Sequence, residues 1–445
     1  MSSRFPTPSA ILRTVSPFGR RTRSDIENFR DHQIRELVAH AYRSVPFYTR
    51  LYDSHGVKPH KVRGFGDLPM LPLITKSDLQ RATVADLVAT GLDPASLKVS
   101  RTNGTTGEPL LVRRTRAESR LLKLYYFQAF RSLGVRRGDL AVGTRLPRAG
   151  HPVVPYGPFR QLANRVRLYP RAEIVNDHPL ELLAELMRLK PEILGGVPGR
   201  LSTYAAHWPQ TMIDHIKRAD WPRMIVTGGE RLSAPVRAHL GDTFNAPVRD
   251  TYSSAEYNLI AAECPRTGAY HVSDETVALE IVDGSRHVRT GESGQPVGTA
   301  LHSFASPLIR FALGDIVKRG ESACACGVNH STISDIEGRL IENFELPGGA
   351  IFSDQNFEMA VGHAAPWVRQ TRISQTSIDH MVLRIAPLRS PSADEIERLK
   401  TSVDTFYKHH VTFDVVIDPD LGPDSGEKSR SIIPLAESRA STTAN

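Results

Sequence analysis

Between Glu181 and Tyr252, short apolar runs alternate with helix-length segments, and this alternation limits the possible folds more than any other feature. Glu181–Lys190 carries helical spacing, Ile193-Leu-Gly-Gly-Val is a strand-length apolar run, and a second helical stretch follows. Met224-Ile-Val-Thr, Ser233–Phe244 and Val248-Arg-Asp-Thr-Tyr252 repeat the pattern. Parallel strands need a crossover segment, so this order predicts βαβ units with helices on both faces of a parallel sheet.

The texture changes on either side. Ile26, Ile34, Leu37, Val38 and Ala41 recur at helical spacing behind a Ser24/Glu27 capping pattern, and Ser44-Val-Pro46 stops that helix. Thr75 or Ser77 caps a short helix; Thr115 and Glu118 form another capping box before Leu121–Leu133, which Gly134 ends. After about residue 270 come strand runs, Val277-Ala-Leu-Glu-Ile-Val, Arg286-His-Val-Arg and Gly298-Thr-Ala-Leu-His-Ser-Phe, separated by turn residues. They predict an antiparallel subdomain. Beyond Arg339 strands at 366–375, 380–386 and 411–417, with helices at 354–362 and 392–409, predict a small α+β unit of ferredoxin type, βαββαβ in order. The expected organisation is a disordered leader at 1–23, a large α/β domain at 24–338, a mobile α+β domain at 339–434 and a tail at 435–445.

Composition excludes some functions. The 445 residues suffice for two or three domains, and no apolar run approaches the roughly 18 residues that span a bilayer. The net charge of +8 suits an anionic partner, but no basic helix or interleaved aromatic stripe marks a nucleic-acid surface. No apolar core follows the N-terminal arginines, so a cytoplasmic location is expected.

The stretch Arg101-Thr-Asn-Gly-Thr-Thr-Gly-Glu-Pro109 is the first candidate for chemistry. Gly104 and Gly107 let successive backbone N–H groups converge on phosphate oxygens, and Thr102, Thr105 and Thr106 add hydroxyl donors. It lacks the Gly-Lys-Ser/Thr ending of a Walker loop, and a Ser/Thr/Gly-rich turn by itself is more often only a turn.

The loop resembles the Ser/Thr-Gly-Thr-Thr-Gly-x-Pro signature of the adenylate-forming superfamily, and four further segments follow in that family's order. These are Tyr252-Ser-Ser-Ala-Glu256, Pro307-Leu-Ile-Arg-Phe-Ala-Leu-Gly-Asp315, Gly338-Arg339 and Gly426-Glu-Lys-Ser-Arg430. Leu37-Val-Ala-His-Ala-Tyr-Arg-Ser-Val-Pro-Phe-Tyr48, Leu68-Pro-Met-Leu-Pro-Leu-Ile-Thr-Lys-Ser-Asp78, Lys190-Pro-Glu-Ile-Leu-Gly-Gly-Val-Pro198 and Thr227-Gly-Gly-Glu230 resemble the branch of phenylacetate-CoA ligases, CapK-like proteins and coenzyme F390 synthetases. The resemblance covers roughly residues 30–430.

It implies an ATP-dependent ligase with a large adenylation domain and a mobile C-terminal domain, activating an acid as acyl-AMP and passing it to CoA. Thr102, Gly104, Thr105, Thr106 and Gly107 would hold phosphates, with Gly229, Glu230, Tyr252, Ser253 and Ser254 completing the nucleotide site. Glu256 would bind Mg²⁺, Asp315 the ribose diol and Arg339 ribose or phosphate. Lys428 would place a cation on the reacting carboxylate and phosphate, making Lys428, Glu256 and Thr105 the catalytic set. The partners are then a carboxylic acid, ATP and CoA, with neither nucleic acid nor membrane; a homodimer is a permitted assembly. Tyr125, Tyr126, Phe127, Tyr156 and Phe159 could line an aryl pocket, giving a mild preference for an aromatic acid, although helix aromatics are more often core.

Three cysteines, an odd number, argue against a disulfide framework. Cys264 with His271, and Cys324 with Cys326, form two short clusters about 60 residues apart. The spacing matches no familiar zinc finger, yet two pairs of soft ligands meeting in space complete a tetrahedral structural Zn²⁺ site, with His330 as reserve ligand. Similar clusters in CapK-like sequences point the same way; free buried cysteines are the alternative.

Two departures from the family pattern bear on function. Gly338-Arg-Leu-Ile-Glu-Asn343 lacks the acidic pair that usually follows the hinge, with Glu342 the nearest acid, and Ala255 stands where a hydroxyl residue is usual. The altered hinge keeps two alternatives open: an amine, hydroxyl or carrier-protein thiol as acyl acceptor, or a non-catalytic nucleotide-binding paralogue.

Overall fold

The fold is that of a computed structural model describing residues 21–101, 110–136, 139–145, 171–175, 179–206, 208–232, 234–339, 344–345, 351–352, 365, 367–387, 389–406, 411–418, 421 and 432–433. The chain divides into two compact units, Met1–Gly138 with Arg249–Ile336, and Asp139–Val248 with Glu337–Asn445.

The first unit begins with helix Arg23–Ser44, which buries Ile26, Arg30, Ile34, Leu37, Val38 and Ala41. Its cap lies two residues before the expected Ser24. The Thr22 side chain accepts from the Asp25 N–H and Asp25 answers the cap backbone, while Glu27 is taken up by Arg23 at 2.7 Å. Helix Pro46–Ser54 follows, with proline in its first turn where no N–H is needed. Its buried Tyr48 hydroxyl donates to the Pro307 carbonyl and accepts from the Ile309 N–H, both at 3.0 Å. These helices therefore pin the segment that leads to Asp315. Helix Arg116–Ser132 is capped by the expected Thr115/Glu118 box. The second Glu118 oxygen accepts from the Phe304 and Ala305 N–H groups at 2.7 and 2.9 Å, so this buried carboxylate is fully partnered.

The sheet of this unit runs in the order Arg286–His287, Val277–Asp283, Ser293–Ala300, Asp315–Arg319, Thr332–Arg339, Tyr270–Val272, Asn258–Glu263 and Val248–Ser254. The pairings 277–282 with 295–300, 270–271 with 332–333 and 261–263 with 270–272 are antiparallel, as expected after about residue 270; that of 251–254 with 258–262 is antiparallel too, although Val248–Tyr252 was expected to continue the parallel alternation. The strand placed at 298–304 instead spans Ser293–Ala300, because its register against Val277–Val282 aligns Val277 with Ala300. Beyond it, the His302 ring is buried against Tyr125 with centroids 5.4 Å apart and meets the Glu275 carbonyl at 2.8 Å.

That histidine gives the unit an acid-sensitive element. Burial, only partly opposed by the Glu275 carbonyl, lowers its pKa from 6.5 to about 4. The unfolded chain then binds the proton more readily, so the stabilisation is complete above pH 6.5 and lost as pH falls towards about 4. Unfolding midpoints should drop through this window, and His302→Gln should flatten the drop; an unchanged slope in the variant would assign the acid sensitivity elsewhere.

In the second unit, strands Met224–Gly228, Ile193–Gly196, Ala141–Arg145 and Arg171–Val175 are neighbours in that order and all parallel. Helices Pro179–Leu189, Pro198–Ala206 and Gln210–Ala219 lie between the last three of these strands in sequence and Ala234–Phe244 follows them, and Leu182, Leu186, Leu194, Trp208, Ile225, Leu240 and Phe244 share one core. This is the alternation that the sequence between 181 and 252 anticipates. The C-terminal segment forms a separate sheet in which the hairpin Val368–Ser377/His380–Pro387 is extended by Thr412–Ile417, parallel to the second strand after helix Ala393–Phe406. The expected helix at 354–362 lies outside the described residues, and among those described Thr412–Ile417 takes the place beside His380–Pro387 that the first strand holds in the ferredoxin order. Phe344–Glu345 pairs with Ile351–Phe352 in a hairpin of its own, and Ile432–Ile433 lies parallel to Val368–Ser377.

Candidate functional site

Strands Lys98–Arg101 and Leu111–Arg114 pair antiparallel, Arg101 opposite Leu111, so residues 102–110 connect a β-hairpin. Thr102, Gly104, Thr105, Thr106 and Gly107 in that loop lie outside the described residues, as do Lys428, Tyr156, Phe159 and Glu342. Arg339 is described in backbone only, as the last residue of Thr332–Arg339.

Two motif residues separated by 63 positions do meet: the Tyr252 hydroxyl donates to Asp315 Oδ2 at 2.5 Å. Each is placed by local backbone. Asp315 opens strand Asp315–Arg319 directly after Gly314, whose φ of +76° is a conformation glycine adopts without strain. Tyr252 sits at the edge of the hydrophobic core, 8% exposed, at the register shift between Tyr252 and Ser253. A β-bulge of this kind turns side chains out of the strict alternation of a strand. Asp315, half-buried beside a donor, remains an acceptor suited to a pair of hydroxyls.

The turn between Val248–Ser254 and Asn258–Glu263 carries Glu256, half-buried. Ser254 Oγ accepts from the Tyr257 N–H at 3.2 Å and so serves the turn itself. Tyr257, fully buried, donates to the Gly298 and Phe311 carbonyls at 2.8 and 3.0 Å, fastening the turn to the strand that precedes Asp315. Tyr125 belongs to the core, and Tyr126 stacks on Phe130 at 4.6 Å. The second unit holds Gly229 and Glu230 immediately after strand Met224–Gly228, at the carboxyl end of its parallel strands where open α/β sheets bind ligands. Gly229 has φ +89°, and a Glu230 oxygen lies 3.2 Å from where a Cβ on Gly199 would stand.

The cysteine clusters come together. One ligand atom each from Cys264, His271, Cys324 and Cys326 lies within 4.8 Å of every other. Cys324 and Cys264 sulfurs are 3.8 Å apart, and Cys326 Sγ is 3.3 Å from His271 Nε2. Tetrahedral ligands at about 2.3 Å from zinc sit about 3.8 Å from each other, so the four fit such an ion. Burial, reinforced by His330, lowers the His271 pKa to about 4, leaving the imidazole neutral as a ligand must be. Burial works to raise the Cys264 thiol, but hydrogen bonds from Thr267 and the Arg266 backbone outweigh it and bring it to about 7. His330 is not one of the four. It is buried with Nδ1 facing Asp274 Oδ2 at 3.8 Å, and Asp274 also takes the Ser331 N–H at 2.6 Å.

The sequence reading missed two things: the Tyr252–Asp315 contact, which no spacing announces, and the part played by Arg114, whose guanidinium binds the carbonyls of Ala255 and Glu256.

No known family profile matches the chain. It is 26% identical over 352 residues to a phenylacetate-coenzyme A ligase of Thermus thermophilus, covering 75% of this chain and 74% of that protein. It is 21% identical over 368 residues to protein CapK of Staphylococcus aureus, covering 81% and 78%. Among solved structures it superposes on a 2-hydroxyisobutyryl-CoA ligase, in the postadenylation state with 2-HIB-AMP, with a TM-score of 0.75 at 19% identity, covering 95% and 92%. An anthranilate CoA ligase in complex with anthranoyl-AMP follows at a TM-score of 0.54 and 15% identity, covering 96% and 81%.

Proposed function

We propose that the chain, like the phenylacetate-CoA ligases it is similar to, activates a carboxylic acid with ATP, and that Tyr252, Glu256 and Asp315 form the nucleotide end of its site. In the first step a carboxylate oxygen attacks the α-phosphorus of ATP, forming acyl-AMP and releasing pyrophosphate. In the second the CoA thiol, giving up its proton, attacks the acyl carbon and AMP leaves.

The observation that carries the reading is the meeting of Tyr252 and Asp315 at 2.5 Å, which joins two of the five ordered motifs. Asp315 accepts from both ribose hydroxyls, and Tyr252 holds that carboxylate in place while its ring flanks the nucleotide. Glu256 offers a hard oxygen ligand that would hold Mg²⁺, which when bound would supply positive charge to the phosphate oxygens. The motif resemblance assigns Thr102, Thr105 and Thr106 to the outer phosphates, Gly229, Glu230 and Arg339 to the nucleotide, and Lys428 to the reacting carboxylate and phosphate. CoA is the acceptor, and an aromatic acid the mild preference. The test is pyrophosphate release over a panel of aryl and aliphatic acids, with and without CoA. Release with at least one acid supports the reading; none with any acid overturns it in favour of a non-catalytic nucleotide-binding protein.

Cys264, His271, Cys324 and Cys326 form a closed structural zinc site, since four protein ligands leave no position for substrate. Metal analysis of the purified chain should find about one zinc per chain. Stripping it with a strong chelator should lower the unfolding midpoint by about 10 °C, because tight binding to the folded state alone contributes about 4 kcal/mol. Cys326→Ser should lose the metal and the same stability. A zinc-free protein with an unchanged midpoint would identify the cysteines as ordinary buried thiols.

A further inference from the structure

The turn carrying Glu256 is held by a residue outside all five motifs. Arg114 ends the second strand of the hairpin whose connecting loop contains Thr102, Thr105 and Thr106. It is 6% exposed, and its Nη1 donates to the Ala255 carbonyl at 3.0 Å while Nη2 donates to the Glu256 carbonyl. Those carbonyls flank the Glu256 Cα on either side, so one rigid guanidinium grips the backbone around a single residue. A lysine ammonium has no such fixed fork. Burial acts against the charge of Arg114, and the Glu118 and Glu256 carboxylates, with Tyr257, oppose that effect.

The neighbouring residues fasten the same turn from other directions. Asn258, in the left-handed region at φ +68°, donates through Nδ2 to the Leu122 carbonyl at 3.2 Å, on the helix that follows Arg114. Ser254 and the Tyr257 hydroxyl complete the fastening. The whole turn is thus anchored through backbone and flanking side chains, and the Glu256 carboxylate is left as the group it presents.

We propose that Arg114 is a positioning residue of the adenylation centre: it fixes the backbone on both sides of Glu256 so that the carboxylate stands ready for the Mg²⁺ that accompanies ATP. This rests on Glu256 as the magnesium ligand. Partners that orient a metal ligand typically change metal affinity by about 10- to 100-fold when removed.

The experiment is calorimetric titration of the full-length protein with ATP at graded Mg²⁺ concentrations, for the wild type, Arg114→Met, Arg114→Lys and Glu256→Gln. Arg114→Met should raise the Mg²⁺ concentration for half-maximal ATP affinity by about tenfold or more, with binding of metal-free ATP nearly unchanged. Arg114→Lys, which keeps a cation that reaches one carbonyl at a time, should fall between it and the wild type, and carries the test if the methionine variant does not fold. An unshifted Mg²⁺ dependence, or an equal loss of metal-free and metal-bound ATP binding, would overturn the proposal and leave Arg114 a structural residue. If wild-type binding responds to Mg²⁺ but Glu256→Gln responds identically, the assignment of Glu256 fails first and the role of Arg114 fails with it.

Discussion

Asp315→Ala should lower acid-dependent pyrophosphate release by about a hundred- to ten-thousandfold in kcat/KM. Its carboxylate accepts two ribose hydroxyls in the proposed site, and hydrogen bonds to a charged group contribute about 1.5–3 kcal/mol each, with 1.4 kcal/mol per factor of ten. Stability should change far less. The variant leaves the Tyr252 hydroxyl without the acceptor it now has at 2.5 Å, a loss of about 1–3 kcal/mol. Tyr252→Phe removes the same contact but keeps the carboxylate, so its effect on turnover should be roughly tenfold or less. Equal losses in both variants would mean that Asp315 acts only through Tyr252 and does not touch nucleotide.

The second large effect is on folding. Arg310 lies in the motif that ends at Asp315, has φ +51°, and is buried with its guanidinium on both Glu280 oxygens at 2.9 and 3.0 Å. A further nitrogen donates to the Leu71 carbonyl at 2.6 Å, holding the N-terminal segment that also pairs through Ile74. Arg310→Met would leave the buried Glu280 with His287, at 3.1 Å, as its remaining ion-pair partner among the described residues. Removing one partner of a buried ion pair costs about 3–5 kcal/mol, which should lower the unfolding midpoint by about 10 °C. Adding Glu280→Gln should recover part of that loss, since the uncompensated charge goes with it. A double variant no more stable than Arg310→Met would place the cost in the Leu71 contact instead.

How much of this was legible beforehand depends on whether a feature is local. The parallel strands between Ile193 and Gly228 follow from periodicity and the Thr115 cap from residues three apart, whereas Thr75 was one of two candidates, and only the fold shows its box with Asp78. The Ser24 cap misplaced the first helix start because Thr22 and Asp25 form the same reciprocal pair two residues earlier and Glu27 is bound to Arg23. The meeting of Cys264, His271, Cys324 and Cys326 was legible because cysteine is rare in this chain, and two pairs leave few combinations. His330 was the reserve ligand in the sequence; the fold turns it towards Asp274. Arg114 was invisible, since one arginine in Val112-Arg-Arg-Thr115 looks like any other until the 255–256 turn folds against it.

The central claim, that the acid is joined to AMP before it is passed to CoA, is tested most directly with an acid carrying heavy oxygen in its carboxylate. Wild-type enzyme is incubated with ATP, CoA and an acid from the panel that supports pyrophosphate release, and AMP is collected for mass spectrometry. One carboxylate oxygen becomes the bridge of the acyl-adenylate and leaves with AMP, so the account predicts AMP carrying one heavy oxygen, together with acyl-CoA of the same acid. Unlabelled AMP, or ADP with the label in inorganic phosphate, would contradict it.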